Sequence, residues 1–280
     1  MLKPVNQAIP IFVISLARAP ERRESIEKHL NGLGLSYEIV DAVDGKLLSI
    51  DQQEKLLAPG VSYVPGVIGC YLSHVDVYQK IVDRDISVAL VLEDDARLNI
   101  KIVPALITGD LTHNFDYCLL DCDDVSENTP VYYDLDSEEE LAKGFPIYST
   151  NIGPALLHAY LMTKEGAIKR IAHAWPIRKP VDVYSQLSYV PIIKVCVDPK
   201  GAWVSEYSRQ SFTSNRNETE PLRFRYLRKF SIAFKLRDWL KLKPLKGLFA
   251  ISRLKRQGML DPARRWRAMP TGRNILHDQT

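Results

Sequence analysis

The sequence predicts an α/β fold built on a mostly parallel sheet. Three observations carry that prediction. Ile9 to Leu16 is a short, continuous, β-rich apolar run, the pattern of a strand buried on both faces. Arg18 to Leu33 and Tyr37 to Val40 follow it as a helix and a second strand, so about 30 residues complete a βαβ unit. Val88 to Leu92, the most apolar strand candidate, runs straight into Glu93-Asp94-Asp95.

Each element has its own warrant. In the first helix Ile26, Leu30 and Leu33 recur at helical spacing with charges between them, and Gly32 and Gly34 supply the stop. The second strand ends at Asp41. Gly66 to Asp83 is helical, with Val67, Cys70/Tyr71, His74, Tyr78 and Ile81 on one side. Tyr117 to Leu120 is another strand followed by acids, here Asp121, Asp123 and Asp124. Asp134 to Glu140 is an acidic run, expected as a solvated loop or a helix start. Gly153 to Met162 is apolar, Lys164 to Ala172 is helical, and Pro191 to Val197 is a late strand.

Composition bounds the function classes. The chain has 280 residues, 46% hydrophobic and 25% charged, which excludes bulk disorder and fibrous repeats. The net charge of +3 conceals a split. Residues 1–220 carry 21 Lys and Arg against 31 Asp and Glu, whereas residues 221–280 carry 16 against 3. A basic tail on an acidic body points to a polyanionic partner, membrane or nucleic acid. The four cysteines are too few for a disulfide scaffold, and Cys118 and Cys122 have no second pair at zinc spacing. They read as reduced thiols of a cytoplasmic protein. No run approaches the roughly 18 apolar residues of a spanning helix. Pro4 and Pro10 break the N-terminus, which reads as a first strand and not as a signal peptide.

The expected organisation is a catalytic domain over 1–213, a polar linker over 214–221 and a basic, largely helical tail over 222–280. In the tail, cations alternate with Leu222, Phe224, Tyr226, Leu227, Phe230, Phe234 and Trp239, as in a helix lying in an anionic membrane interface. Arg237 and Lys241 interrupt the apolar stripe and Pro244 breaks it, so helices packed back on the body are the other reading.

Three constellations carry chemistry. Glu93, Asp94 and Asp95 close a hydrophobic strand, where ligands bind in open α/β sheets. Like charges this close raise one another's pKa unless a cation is present, so Asp94 and Asp95 are candidate ligands for Mg2+ or Mn2+; a solvated turn is the alternative. Ser15-Leu16-Ala17-Arg18 with Arg22 and Arg23 sits at the exit of the first strand, where Arg can clamp a phosphate or pair with glutamates on a surface helix. Gly66 to His74 brings two glycines, Ser73 and His74 to a helix start. Gly69 allows close backbone approach, and Ser73 and His74 can bond a sugar or phosphate, or His74 can be structural. Rossmann dinucleotide, P-loop and serine-hydrolase fingerprints are missing from the sequence.

These segments together resemble glycosyltransferase family 25, the lipopolysaccharide and lipooligosaccharide sugar transferases. Ile11 to Leu16 with Arg18 and Glu21-Arg22-Arg23 resembles the family's opening. Val40-Asp41-Ala42-Val43-Asp44-Gly45, Gly69 to His74, Leu92 to Ala96, His158 to Met162 with Gly166-Ala167, and Pro180-Val181-Asp182 match in family order. The resemblance covers about residues 9–210; Gly153 to Leu157 departs from it. It implies an A-type glycosyltransferase fold, Rossmann-like with an acidic metal motif. It also implies a UDP-sugar donor, commonly UDP-galactose, transfer with inversion, and a divalent metal, Mn2+ or Mg2+, on Asp94 and Asp95. Ser15, Leu16, Arg18, Arg22, Asp41, Gly69, Ser73, His74, Glu93 and Asp94 are then expected at the nucleotide sugar, and His158 and Tyr160 at the acceptor. Asp95 is expected to act in catalysis. Asp182 is the expected general base, because Pro180 pins its loop; a helix N-cap is its alternative.

The acceptor implied is a lipid-linked oligosaccharide, which places the enzyme peripherally on the cytoplasmic face of the plasma membrane. Two other classes stay open on the residues alone: a metal-dependent phosphohydrolase using the acids, and a nucleic-acid-binding protein acting through the tail. The first lacks the accompanying Lys and Ser/Thr motif, and the second leaves Glu93-Asp94-Asp95 unexplained.

Overall fold

The computed structural model describes residues 8–121, 132–150, 157–183, 191–207, 255, 261 and 263–269. In chain order the elements are β1 (Ile11–Ser15), α1 (Pro20–Gly32), β2 (Glu38–Asp41), α2 (Ile50–Leu56), α3 (Pro65–Asp83), β3 (Val88–Glu93), β4 (Ala96–Leu98), α4 (Val103–Thr108), β5 (Tyr117–Leu119), β6 (Tyr132–Asp134), β7 (Glu139–Ala142), β8 (Phe145–Ser149), β9 (Ala159–Thr163), α5 (Lys164–Ala172), β10 (Ile193–Cys196), β11 (Ala202–Val204) and β12 (Trp266–Ala268).

An eight-stranded sheet, ordered β2-β1-β3-β9-β5-β10-β8-β7, forms the middle layer. β1 pairs in parallel with β2 and β3, and β5 with β10; β9 and β8 run antiparallel to their neighbours. The sheet is therefore mixed, with β8 and β9 reversed against the prevailing strand direction. Continuous apolar runs produce it because both faces are covered. On β1, Phe12 and Ile14 enter one core with Ile68, Tyr78, Ile81 and Tyr160, under α3 and α5. Ile11 and Val13 enter the other, with Ile26, Leu30, Leu90 and Leu106, under α1 and α4.

Two helices aim polar groups at the site. α1 starts at Pro20, whose fixed φ suits the first helical turn. Its buried residues are Arg22, Ile26 and Leu30, one stripe at four-residue spacing. Two of these feed the core, and the third, at the sheet's carboxyl edge, is a guanidinium. α3 also starts on a proline and buries Val67, Ile68, Tyr71, His74, Val77, Tyr78 and Ile81.

Several expectations are revised. The acidic run is neither loop nor helix start: β6, a short 3-10 turn over Leu135–Ser137 and β7 occupy it. Glu139 and Glu140 lie on β7, the edge strand, where charge is tolerated because one side faces water. The apolar run that ends at Met162 holds the strand β9, over residues 159–163. The tail is expected to be largely helical, yet residues 266–268 are β12, paired antiparallel with β6 because Tyr132–Asp134 offers a free strand edge. Cys122, Asp123, Asp124, Gly153 to Leu156, the 214–221 linker and the tail from 222 to 254 lie outside the described residues. Among the described residues no helix is long and apolar enough to cross a membrane.

Candidate active site

The carboxyl ends of β1, β2 and β3 converge. Ile14 is in register with Glu93, and Ser15 with Asp41. β9 is antiparallel, so it delivers its beginning to this edge: the Glu93 amide donates to the His158 carbonyl at 2.8 Å. These ends, the start of α3 and the loop around Pro180 enclose a cleft of about 200 Å³. Leu16, Arg18, Arg22, Ser73, His74, Glu93, Asp94, Asp95, His158 and Asp182 line it.

The acids are held by α1 and β1. Ser15 Oγ donates to Asp94 Oδ2 at 3.0 Å, and Arg22 Nη2 pairs with Asp94 Oδ1 and lies 3.3 Å from Asp95 Oδ2. Both oxygens of Asp94 are thus engaged by the protein. Asp95 Oδ1 is buried and has no hydrogen-bond partner. Burial, with the charges of Glu93 and Asp94, pushes Asp95 up to about 6, against the pull of His158 and Arg22. Burial also raises Asp94, despite Arg22 and Ser15. A buried, unpartnered carboxylate oxygen beside other acids fits a divalent cation. Asp95 can hold the metal the resemblance implies. Asp94 can join it only through oxygens that Arg22 and Ser15 already engage.

Two histidines flank the acids. His74 Nε2 is 3.3 Å from Glu93 Oε1, and its Nδ1 is 2.8 Å from the Tyr160 hydroxyl. Burial pushes the Glu93 carboxyl up, but the His74 hydrogen bond and charge, with His158 and Arg22, bring it below its ordinary value. His158 Nε2 contacts Asp121 Oδ2 at 2.8 Å, and Lys200 Nζ lies 2.7 Å from Asp121 Oδ1. Burial opposes the His158 proton, yet the hydrogen bond and charge of Asp121, with Asp95 and Glu93, raise its pKa. Lys200 carries no signal in the sequence, being a single Lys just after β10.

The remaining expected residues fall in different places. Arg18 stands at the mouth, its Nε 2.5 Å from Asp44 Oδ2. Asp41 is mostly exposed, pairs with Arg23 at 2.5 Å and does not line the cleft. Gly69 faces the 43–45 loop: a Cβ there meets the Val43 carbonyl oxygen at 2.4 Å. Ser73 Oγ accepts from the Val43 amide at 2.8 Å and donates to the Gly69 carbonyl at 2.7 Å. The close approach expected at Gly69 is thus to this chain's own loop, whose Ala42 to Gly45 form one wall. Tyr160 is fully buried behind His74, with its hydroxyl donating to Tyr78 at 3.3 Å. It orients His74 and does not face an acceptor. Asp182 lies in a turn closed by Val183 N to Pro180 O at 3.1 Å. Arg170 holds that loop from below through the Val181 carbonyl, at 2.8 Å. The residues an N-cap at Asp182 needs, 184–190, lie outside the described residues.

A family model described as glycosyltransferase family 25 (LPS biosynthesis protein) matches residues 8–185. Procollagen galactosyltransferase 1-A of Xenopus laevis is 30% identical over 194 residues, 64% of this chain and 31% of that protein. A glycosyltransferase 25 family member of Drosophila melanogaster is 40% identical over 100 residues, 31% of this chain and 16% of that one. Procollagen galactosyltransferase 2 of Homo sapiens is 35% identical over 121 residues, 40% and 19% of the two chains. The chain spans less than a third of the length of these relatives. A solved structure, a glycosyltransferase involved in glycosylation of the major capsid of PBCV-1, overlaps 59% of this chain and 65% of its own, with TM-score 0.30 and 8% identity.

Proposed function

The chain belongs to glycosyltransferase family 25, and from that premise we propose that it moves galactose from UDP-galactose onto a lipid-linked lipopolysaccharide or lipooligosaccharide acceptor, with inversion. The family's place in lipopolysaccharide biosynthesis supports the acceptor, and its galactosyltransferase relatives support the sugar. The observation that carries the reading is Asp95: a buried carboxylate with an unpartnered oxygen, in a cleft also lined by Arg18, His74 and Asp182. An A-type fold is the architecture this reading requires.

Each residue has a role. Asp95 would hold Mn2+ or Mg2+, which when bound stabilises negative charge developing on the leaving diphosphate. Arg22 pairs with Asp94 Oδ1 and lies beside Asp95 Oδ2, which leaves Asp95 Oδ1 for the cation. Arg18, at the mouth, exchanges Asp44 for a diphosphate oxygen. Asp182, on a loop anchored by Arg170, accepts the proton of the acceptor hydroxyl as that oxygen attacks the anomeric carbon. The UDP oxygen–carbon bond breaks as the new glycosidic bond forms.

The test is a panel of UDP-sugars with a lipooligosaccharide acceptor, with Mn2+ or EDTA, and the product anomer read by NMR. UDP with Mn2+ should raise the melting temperature, UDP with EDTA much less. Galactose should appear in a β linkage. Transfer that ignores EDTA, or a donor other than UDP-galactose used faster, overturns the assignment.

A further inference from the structure

α3 and β3 bring together a second set of metal-ligating atoms. Cys70 Sγ, a His74 ring nitrogen and a Glu93 carboxylate oxygen all lie within 4.8 Å of one another. Among the described residues this is the one group of three such side chains, and it excludes Asp94 and Asp95. Cys70 and His74 are four residues apart on one helix, so they share a face. All three line the cleft.

The histidine is set up as a ligand. Tyr160 donates its hydroxyl proton to Tyr78, which leaves its oxygen to accept from His74 Nδ1–H at 2.8 Å. In the neutral tautomer with its hydrogen on Nδ1, Nε2 offers its lone pair, and a cation seated between it and Glu93 takes the place of the His74–Glu93 hydrogen bond. A metal-bound histidine is oriented through its other nitrogen in this way. The Nε2 to Oε1 separation is 3.3 Å. Zn–N and Zn–O bonds of about 2.0–2.2 Å at a tetrahedral angle place the two atoms about 3.4 Å apart. Sulfur and imidazole ligands select Zn2+ over Mg2+ or Mn2+.

We propose that Cys70, His74 and Glu93 form a Zn2+ site distinct from the carboxylate metal position at Asp95, with its fourth coordination place open to the cleft. Binding converts the Cys70 thiol to thiolate and releases its proton to water. The site does not depend on which sugar is transferred, or on transfer at all.

The test uses the full chain, stripped of metal and titrated with Co2+. A thiolate-to-cobalt band in the near ultraviolet should saturate at one equivalent and vanish on adding Zn2+, but survive excess Mg2+. Cys70→Ser should abolish the band, and Glu93→Gln should weaken Co2+ binding at least tenfold. In the unsubstituted protein, one equivalent of Zn2+ should slow alkylation of Cys70, mapped by mass spectrometry, at least tenfold. This last measurement needs no variant to fold. The proposal is overturned if no thiolate band forms, if the band persists in a folded Cys70→Ser chain, or if Zn2+ leaves Cys70 alkylation unchanged.

Discussion

Asp95 combines opposing demands on stability and function. Its pKa, raised from 3.8 to about 6, means that the native state binds its proton more tightly than the unfolded chain does. The ionised group therefore opposes folding at neutral pH. That opposition lessens as pH falls through about 6, and it is gone below the unfolded value of 3.8. A bound cation needs the ionised form, so the metal concentration that half-saturates transfer should rise about tenfold per pH unit below about 6. Asp95→Asn removes the buried charge and should raise unfolding free energy by about 1–3 kcal/mol, less than the whole shift because the amide still lacks a partner. The same change should cut transfer by about 100-fold or more. Urea unfolding and initial rates, measured on one preparation, check both. An Asn variant less stable than the parent, or equally active, contradicts the role given to this carboxylate.

At the scale of elements, the cleft depends on one loop lying directly against one helix. A Cβ on Gly45 meets the Pro65 carbonyl oxygen at 1.8 Å, whereas real Cβ contacts essentially never fall below 3.0 Å. Gly45→Ala must therefore lift the 42–45 wall off α3. That should cost about 1–3 kcal/mol and raise the donor KM more than it lowers kcat. Wild-type melting and KM in that variant would exclude the packing argument. The same contact explains what the sequence reveals and what it withholds. Two glycines flanking a helix start announce a close approach, but not whether ligand or backbone makes it. Continuous apolar runs announce β1 and β3, because burial on both faces leaves no polar alternation. Glu93-Asp94-Asp95 announces a strand end rich in charge, but its partners Ser15 and Arg22 lie more than 70 residues earlier and only the parallel pairing of β1 with β3 joins them. β7 is hidden in the sequence because its acids belong to an edge, where polarity imitates a loop.

For the molecule as a whole, the divided charge has two destinations. Arg264 pairs with buried Asp134 and Arg265 with Asp136, at 2.6 Å for the second, so β12 spends part of the tail's charge on the acidic body. The ten Lys and Arg between residues 222 and 254 lie outside the described residues. We propose that they hold the enzyme on an anionic membrane, where each engaged cation contributes about 1 kcal/mol; three or four then concentrate it by about a hundredfold or more. Two altered chains separate these roles. Replacing those ten cations by Gln should abolish flotation with phosphatidylglycerol vesicles while leaving the melting temperature unchanged, because β12 is intact. A chain ending at Pro221 should also fail to float, but it should melt lower, because β6 loses its β12 partner and Asp134 its ion pair with Arg264. The parent chain should float with anionic vesicles, not with neutral phosphatidylcholine, and should come off in high salt. Flotation of the Gln-substituted chain at the parent's level would return the tail to a purely structural role, and a lower melting temperature in that chain would place the same cations against the body.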